Sequence, residues 1–293
     1  MSAFNGLEQI VEENRSLASC TWYGLGGPAR YFIKPRTIEE LEQVNLRCRE
    51  NNIAVRVLGF GSNLLISDNG VNGAVIKLDS ELFTQTEFDG EKLTAWAGAE
   101  LSRLVLTCVQ KGLSGIECLT GIPGSIGGAV RMNAGGNFGD TGASVTKVTL
   151  MDSQGMIFEK QKPELIFDYR QTNITAPFIL NATMELHEGE PEQILRTVKE
   201  IWIYKKNNQP LNTKNSGCIF KNPRGLSAGA LIDRAGLKGL RMGGAVISEK
   251  HANFIVAEKD CKSKDVMGLI DKIKKVVKHQ FDIELELEIE IWE

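Results

Sequence analysis

Residues 121–133 read Gly121-Ile-Pro-Gly-Ser-Ile-Gly-Gly-Ala-Val-Arg-Met-Asn133. Small residues in this density can turn several backbone N–H groups inward as an anion-binding nest. The stretch lacks Gly-Lys-Ser/Thr, so it is not the phosphate loop of a magnesium–nucleotide hydrolase. A phosphate held without lysine or metal suits a cofactor that is bound and kept. Asn133-Ala-Gly-Gly-Asn137 continues the same kind of surface. A plain loop is the competing reading.

Glycine is concentrated around this stretch. Twenty of the 30 glycines precede residue 150, and ten of those lie between Gly112 and Gly142. Only eight prolines accompany them, so the region is not a low-complexity linker. Glycine is needed where φ is positive or where backbone must approach something closely. Two further stretches mimic a dinucleotide fingerprint. Gly24-Leu-Gly-Gly-Pro-Ala29 is followed by an extended run, and Gly59-Phe-Gly-Ser-Asn63 by the short, β-like Leu64–Ser67. Neither opens a helix, so the Rossmann context is missing and tight turns explain both equally well.

Outward from there, the periodicity predicts mixed elements. Thr37–Asn51 is a helix with a Thr37/Glu40 capping box, and Glu100–Lys111 a helix ended by Gly112. Ile53–Leu58, Ala74–Leu78, Leu93–Ala97 and Phe178–Leu186 read as strands, and Ser144–Asp152 with Met156–Glu159 as a hairpin. Gln193–Lys206 is a helix with Ile194, Val198, Ile201 and Trp202 on one side, and Ser263–His279 carries a clean apolar stripe. Ile283–Ile291 alternates perfectly and predicts a strand with one wet face. The polar break His187–Pro191 places the main boundary, giving domains 1–188 and 189–293. Strands and helices without a βαβ rhythm indicate the α+β class.

Composition excludes several functions. The net charge is −3 over 293 residues, with no basic block, which disfavours a nucleic-acid binder. No stretch reads as a membrane span, and the N-terminus lacks the features of a signal peptide. Six cysteines without CxxC spacing read as reduced thiols of a cytoplasmic protein. Three scattered histidines argue against a metal site. By residue type alone, Arg170 is a surface arginine, Cys218 a core cysteine, and Glu284, Glu286, Glu288 and Glu290 a solvated face. Crowded like charges there favour at least one having a special partner.

In order and spacing, six segments resemble the UDP-N-acetylenolpyruvoylglucosamine reductase family. They are Thr21-Trp-Tyr-Gly-Leu-Gly-Gly-Pro-Ala29, Leu58-Gly-Phe-Gly-Ser-Asn-Leu-Leu65, Gly121–Asn133, Gly217-Cys-Ile-Phe-Lys-Asn-Pro223, Ala228-Gly-Ala-Leu-Ile-Asp-Arg-Ala-Gly-Leu237 and Leu285-Glu-Leu-Glu288. The resemblance implies an FAD-binding domain of the vanillyl-alcohol-oxidase-like type, made of two α+β subdomains, followed by a smaller α+β substrate-binding domain. It assigns FAD to Leu58, Gly59, Phe60, Gly61, Ser62 and Asn63, and to Gly121, Ile122, Pro123, Gly124, Ser125, Gly127, Gly128, Ala129 and Asn133. It makes Arg170, Cys218 and Glu288 catalytic and brings Tyr169, Lys221 and Asn222 near the substrate. Phe60 stands where the family commonly has a third glycine. The chain resembles the shorter class, without the tyrosine-bearing insertion of the longer one.

The implied reaction has two halves. NADPH reduces FAD and leaves. UDP-N-acetylglucosamine enolpyruvate then takes the hydride and becomes UDP-N-acetylmuramate for peptidoglycan. Arg170 would hold the substrate carboxylate, and Cys218 would protonate the α-carbon. No obligatory protein partner is implied. An FAD oxidase of an alcohol and a nucleotide-binding regulator without catalysis are the alternatives.

Overall fold

The computed structural model describes residues 3–293. The chain forms two compact units, each discontinuous in sequence. The first takes residues up to Glu13, Arg30–Phe60 and Gly73–Tyr204; the second takes Asn14–Ala29, Gly61–Asn72 and Lys205–Glu293. Residues 14–29 and 61–72 therefore group with the C-terminal part, and 189–204 with the N-terminal part, in place of one cut at 188/189. His187–Glu188 does not separate anything locally. It pairs with Leu113–Ser114, and Gly189 donates to the Gly112 carbonyl at 2.8 Å.

In the first unit, helix α1 (Ile38–Glu50) begins at Thr37, whose hydroxyl accepts from the Glu40 amide. Only that half of the expected box forms. The Glu40 carboxylate reaches past Thr37 to the Arg36 amide and guanidinium. Strand Val55–Leu58 runs parallel to Ala74–Lys77, with Leu58 opposite Lys77. A five-stranded antiparallel sheet follows, ordered 157–161, 145–151, 178–185, 92–96 and 86–89. Its 145–151/157–161 hairpin is the one the turn Ser153-Gln-Gly155 predicts. Helix α2 (Leu101–Lys111) stops where Gly112 turns left-handed at φ 67. Helix α3 (Ile126–Met132) ends in the same way at Asn133, φ 45. In helix α4 (Pro191–Asn208), Ile194, Val198 and Ile201 are buried, but Trp202 is exposed. One continuous apolar core joins both sheets, α1, α2, α3 and the start of α4.

The second unit has its own core. Helices α5 (Ala228–Arg234) and α6 (Ser263–Phe281) contribute to it beside a three-stranded sheet, 241–242, 245–247 and 255–257. The predicted nine-residue strand is a correction. Only Glu290–Trp292 is a strand, parallel to Leu64–Ile66. The alternation of burial persists upstream, with Leu285 and Ile289 inside. The chain changes partner at Glu288, however. Before it, Leu287 bridges Phe220; after it, the chain follows residues 64–66. A perfect period of two reports facing, not an unbroken ladder. Gly24–Ala29 is structural. A Cβ on Gly27 would lie 2.2 Å from the Asp68 carbonyl oxygen. Among the described residues no helix is long and apolar enough to cross a membrane.

Candidate active site

The C-terminal ends of the parallel strands at Leu58 and Lys77 open onto a cleft in the first unit. Its lining includes Leu58, Gly59, Phe60, Lys77, Asp79, Gly98, Ser125, Gly128 and Arg131. Ligands of α/β sheets collect at such strand ends. Its free space, open solvent included, comes to about 580 Å³. Near its rim, Asp79 stands between two ammonium groups, 3.0 Å from Lys34 and 3.7 Å from Lys77. That local excess of positive charge suits a phosphate-bearing ligand.

The start of α3 works differently from a simple nest. The amide of Ile126 donates to the Ala99 carbonyl at 3.0 Å, and that of Gly127 to Ala97 at 2.8 Å. Two orphan donors of the first turn are thus satisfied by the protein itself. Gly127 is tight against this partner, because its Cβ would meet the Ala97 side chain at 2.9 Å. Gly128 is open: its Cβ would find only Ser125 Oγ, at 3.7 Å. A flat, side-chain-free helix face there leaves room for a ligand to approach the backbone, and the residues fit FAD in that sense.

The cleft gathers Leu58, Gly59, Phe60, Ser125, Gly127 and Gly128 from the expected cofactor set. Gly121, Ile122, Pro123, Gly124 and Ala129 do not line it. Gly61, Ser62 and Asn63 belong to the second unit. Asn133 is buried and uses both ends of its amide internally. Its Nδ2 donates to the Asp168 carbonyl at 3.0 Å, and its Oδ1 accepts from the Gly142 amide at 2.8 Å. Lys77, Asp79, Arg131 and Pro177 escaped the sequence reading. A parallel pairing of 55–58 with 74–77 would have pointed to Lys77 and Asp79. Nothing local marks Arg131, whose fork donates to the carbonyls of Ile174, Ala176 and Pro177 at 2.5–3.1 Å.

Asn133 braces the hairpin that carries Arg170. Phe167–Asp168 pairs with Gln171–Thr172, and Tyr169 and Arg170 form the tip. Arg170 sits at φ 58, a left-handed conformation that costs a non-glycine residue about 1 kcal/mol. Such strain is commonly kept where function needs it. Its guanidinium donates to the Gly135 carbonyl at 2.9 Å and lies 5.2 Å from the Tyr169 ring centre. Tyr169 is exposed beside it.

The segments that carry Cys218 and Glu288 pair in the second unit. The Glu288 amide donates to the Ile219 carbonyl at 2.8 Å, so the two residues lie on adjacent extended segments. Asn63 Nδ2 donates to the Glu288 carbonyl at 3.0 Å and fixes that segment from its other side. Lys221 extends the pairing, with its amide on the Glu286 carbonyl and its ammonium 3.8 Å from the Glu286 carboxylate. Asn222 Oδ1 accepts from Ala228 at the start of α5. Burial pushes the thiols of Cys48 and Cys108 up to about 12 and that of Cys261 up to about 11, so these three stay protonated and unreactive.

Comparison with known proteins matches both parts of the chain. A profile described as an FAD binding domain covers residues 29–160. One described as the C-terminal domain of UDP-N-acetylenolpyruvoylglucosamine reductase covers residues 209–292. A reductase of that name from Moorella thermoacetica is 39% identical over 288 residues, 98% of this chain and 95% of the relative. That of Bacillus subtilis is 37% identical over 299 residues, 97% of this chain and 98% of the relative. The crystal structure of UDP-N-acetylenolpyruvylglucosamine reductase from Thermus caldophilus superposes with a TM-score of 0.85 at 40% identity, covering 97% of this chain and 99% of that one. With an FAD-binding domain, the matching C-terminal domain and such identity along nearly its whole length, the chain belongs to the UDP-N-acetylenolpyruvoylglucosamine reductase family.

Proposed function

We propose that the protein reduces UDP-N-acetylglucosamine enolpyruvate to UDP-N-acetylmuramate in the cytoplasm, with NADPH as hydride donor, as a step in peptidoglycan precursor synthesis. The observation that carries this reading is the pairing of the Cys218 segment with Glu288 through the 2.8 Å bond from the Glu288 amide to the Ile219 carbonyl. It brings the backbone that carries the proposed proton donor alongside the backbone that carries the proposed carboxyl.

When bound, FAD supplies the relay of hydride between nicotinamide and enolpyruvyl group. The residues lining the first-unit cleft would hold it, Leu58–Phe60 and the open helix face at Gly128 among them. Arg170 takes the substrate carboxylate, where negative charge grows as the double bond is reduced; its planar fork offers two parallel donors to one carboxylate. Glu288 cannot relieve that charge while ionised, so it acts protonated or through a bridge. Cys218 delivers the proton to the α-carbon. A thiol with an ordinary pKa of about 8.5 is a far stronger acid than a serine hydroxyl and is still protonated at neutral pH.

Anaerobic rapid mixing tests the reading. NADPH should bleach the bound flavin, and the enolpyruvyl sugar nucleotide should restore its colour without oxygen. Cys218→Ala should leave the first half near normal and slow the second by at least about 10²-fold, the lower end for a positioned general acid. Cys218→Ser should recover much of that. A Cys218→Ala protein that reoxidises like the parent refutes the assignment.

A further inference from the structure

The segment Cys218–Lys221 is held on two edges. One edge is the extended segment Glu286–Glu288: Ile219 O accepts from the Glu288 amide at 2.8 Å, and the Lys221 amide donates to Glu286 O at 2.9 Å. The other edge is not a strand. It is one residue, Asn253. Its backbone oxygen accepts from the Ile219 amide at 2.8 Å. Its side-chain Oδ1 accepts from the Phe220 amide at 3.0 Å, and its Nδ2 donates to the Phe220 oxygen at 2.7 Å. Three of the five backbone bonds that fix Ile219, Phe220 and the Lys221 amide therefore end on Asn253.

A side-chain amide carries the same donor and acceptor as a peptide group, so it can complete a strand edge from a single position. Asn253 is 2% exposed, and Ile219 and Phe220 are fully buried. Each bond lost there leaves a buried polar group unsatisfied. Two-point pairing also fixes register, and a slip by one residue would carry Cys218 to the opposite face. Asn253 is itself fixed. Its backbone N–H donates to His251 Nδ1 at 3.3 Å, and the His251 ring meets Phe254 edge-on at 4.8 Å. The Phe254 amide returns to the His251 oxygen at 3.0 Å, and its oxygen accepts from Ser248 at 2.9 Å.

We propose that Asn253 is a positioning residue for protonation: it sets the face and register of Cys218 against Glu288 through its two-point bond to Phe220. This rests on the role given to Cys218 under the proposed function.

The test compares half-reactions in flavin-loaded protein. In Asn253→Ala, NADPH should bleach the flavin at the parent rate, while reoxidation by the enolpyruvyl sugar nucleotide should slow by at least about tenfold, with kcat falling and KM nearly unchanged. Alkylation of Cys218 by iodoacetamide, read by mass spectrometry, should quicken by about threefold or more, because the segment opens locally. Asn253→Asp keeps the acceptor for the Phe220 amide but sets a carboxylate against the Phe220 oxygen. Reoxidation should therefore be slow at neutral pH and recover on acidification, when the carboxyl can donate again; Asn253→Leu should show no such recovery. If Asn253→Ala yields no flavin-loaded protein, Asn253→Asp across pH carries the comparison. Parent-like reoxidation in Asn253→Ala, equal slowing of both halves, or no pH rescue in Asn253→Asp overturns the inference. Parent-like reoxidation in Cys218→Ala would instead overturn the function reading, so the two failures are distinguishable.

Discussion

Replacing Asn133 should weaken the fold before it touches the cofactor. Its amide joins the Asp168 carbonyl at 3.0 Å to the Gly142 amide at 2.8 Å, inside the first unit. Asn133→Gly keeps the left-handed backbone at φ 45 at ease but removes both bonds. At about 1 kcal/mol each, and more where the abandoned partner is shut off from water, the expected loss is about 2–3 kcal/mol. Asn133→Ala loses the same bonds and adds about 1 kcal/mol for holding a Cβ residue left-handed. Urea unfolding of flavin-free protein should rank parent, Gly and Ala in that order. A second consequence follows from Asp168 lying in the Arg170 hairpin. The surviving folded Gly variant should be reduced by NADPH normally and reoxidised more slowly. If Asn133→Gly unfolds within about 0.5 kcal/mol of the parent, as ordinary surface changes do, the brace is not there. If it loses FAD without any change in flavin-free stability, Asn133 belongs to the cofactor.

Three further outcomes are expected. Gly128→Ala should raise flavin-free stability by up to about 1 kcal/mol, as alanine does in a helix, yet weaken FAD retention; Gly127→Ala should lower stability because of the Ala97 contact. Equal behaviour of the two in both measurements would contradict the one-sided cleft. Gly27→Ala should cost about 1–3 kcal/mol through its clash with Asp68 and leave the flavin content of the folded fraction unchanged; pale but stable protein would revive a dinucleotide role for Gly24–Ala29. Burial, then the nearby Lys238 charge, holds the His251 pKa below its usual 6.5, so the folded form keeps this ring neutral. As pH falls below about 6.5 the unfolded form takes up the proton first, and the stability present above that value is lost progressively down to the folded-state pKa. His251→Gln should flatten that part of the stability–pH curve; an unchanged curve would show that His251 does not supply it.

The sequence carried local structure well where one residue settles the matter. Gly112 ends α2, Thr37 starts α1, and Ser153-Gln-Gly155 closes the hairpin, because caps and turns depend on near neighbours. It failed where the deciding partner is remote. The Ile283–Ile291 run alternates as a strand should, but its ladder is broken by a change of neighbour from Phe220 to Leu64–Ile66. The Gly121–Ala129 stretch announces close backbone approach, but not that Ala97 and Ala99 take two of its amides. Arg131 and Asn253 act through carbonyls and amides supplied by other segments, which no local pattern records.

The pairing of Leu64–Ile66 with Glu290–Trp292 bears on how the chain can be made. Asn63 and its partner Glu288 are 225 residues apart. A nascent chain therefore presents Leu64-Leu-Ile66, all buried in the finished protein, long before its neighbouring strand leaves the ribosome. Non-local strand pairing of this kind is slow, and an unpaired apolar edge invites association with other chains. Maturation of the second unit thus waits for residues 290–292, while most of the first unit can condense earlier. Premature termination before Glu290 would release a product with an intact flavin cleft and an exposed apolar strand, a natural client for holding chaperones.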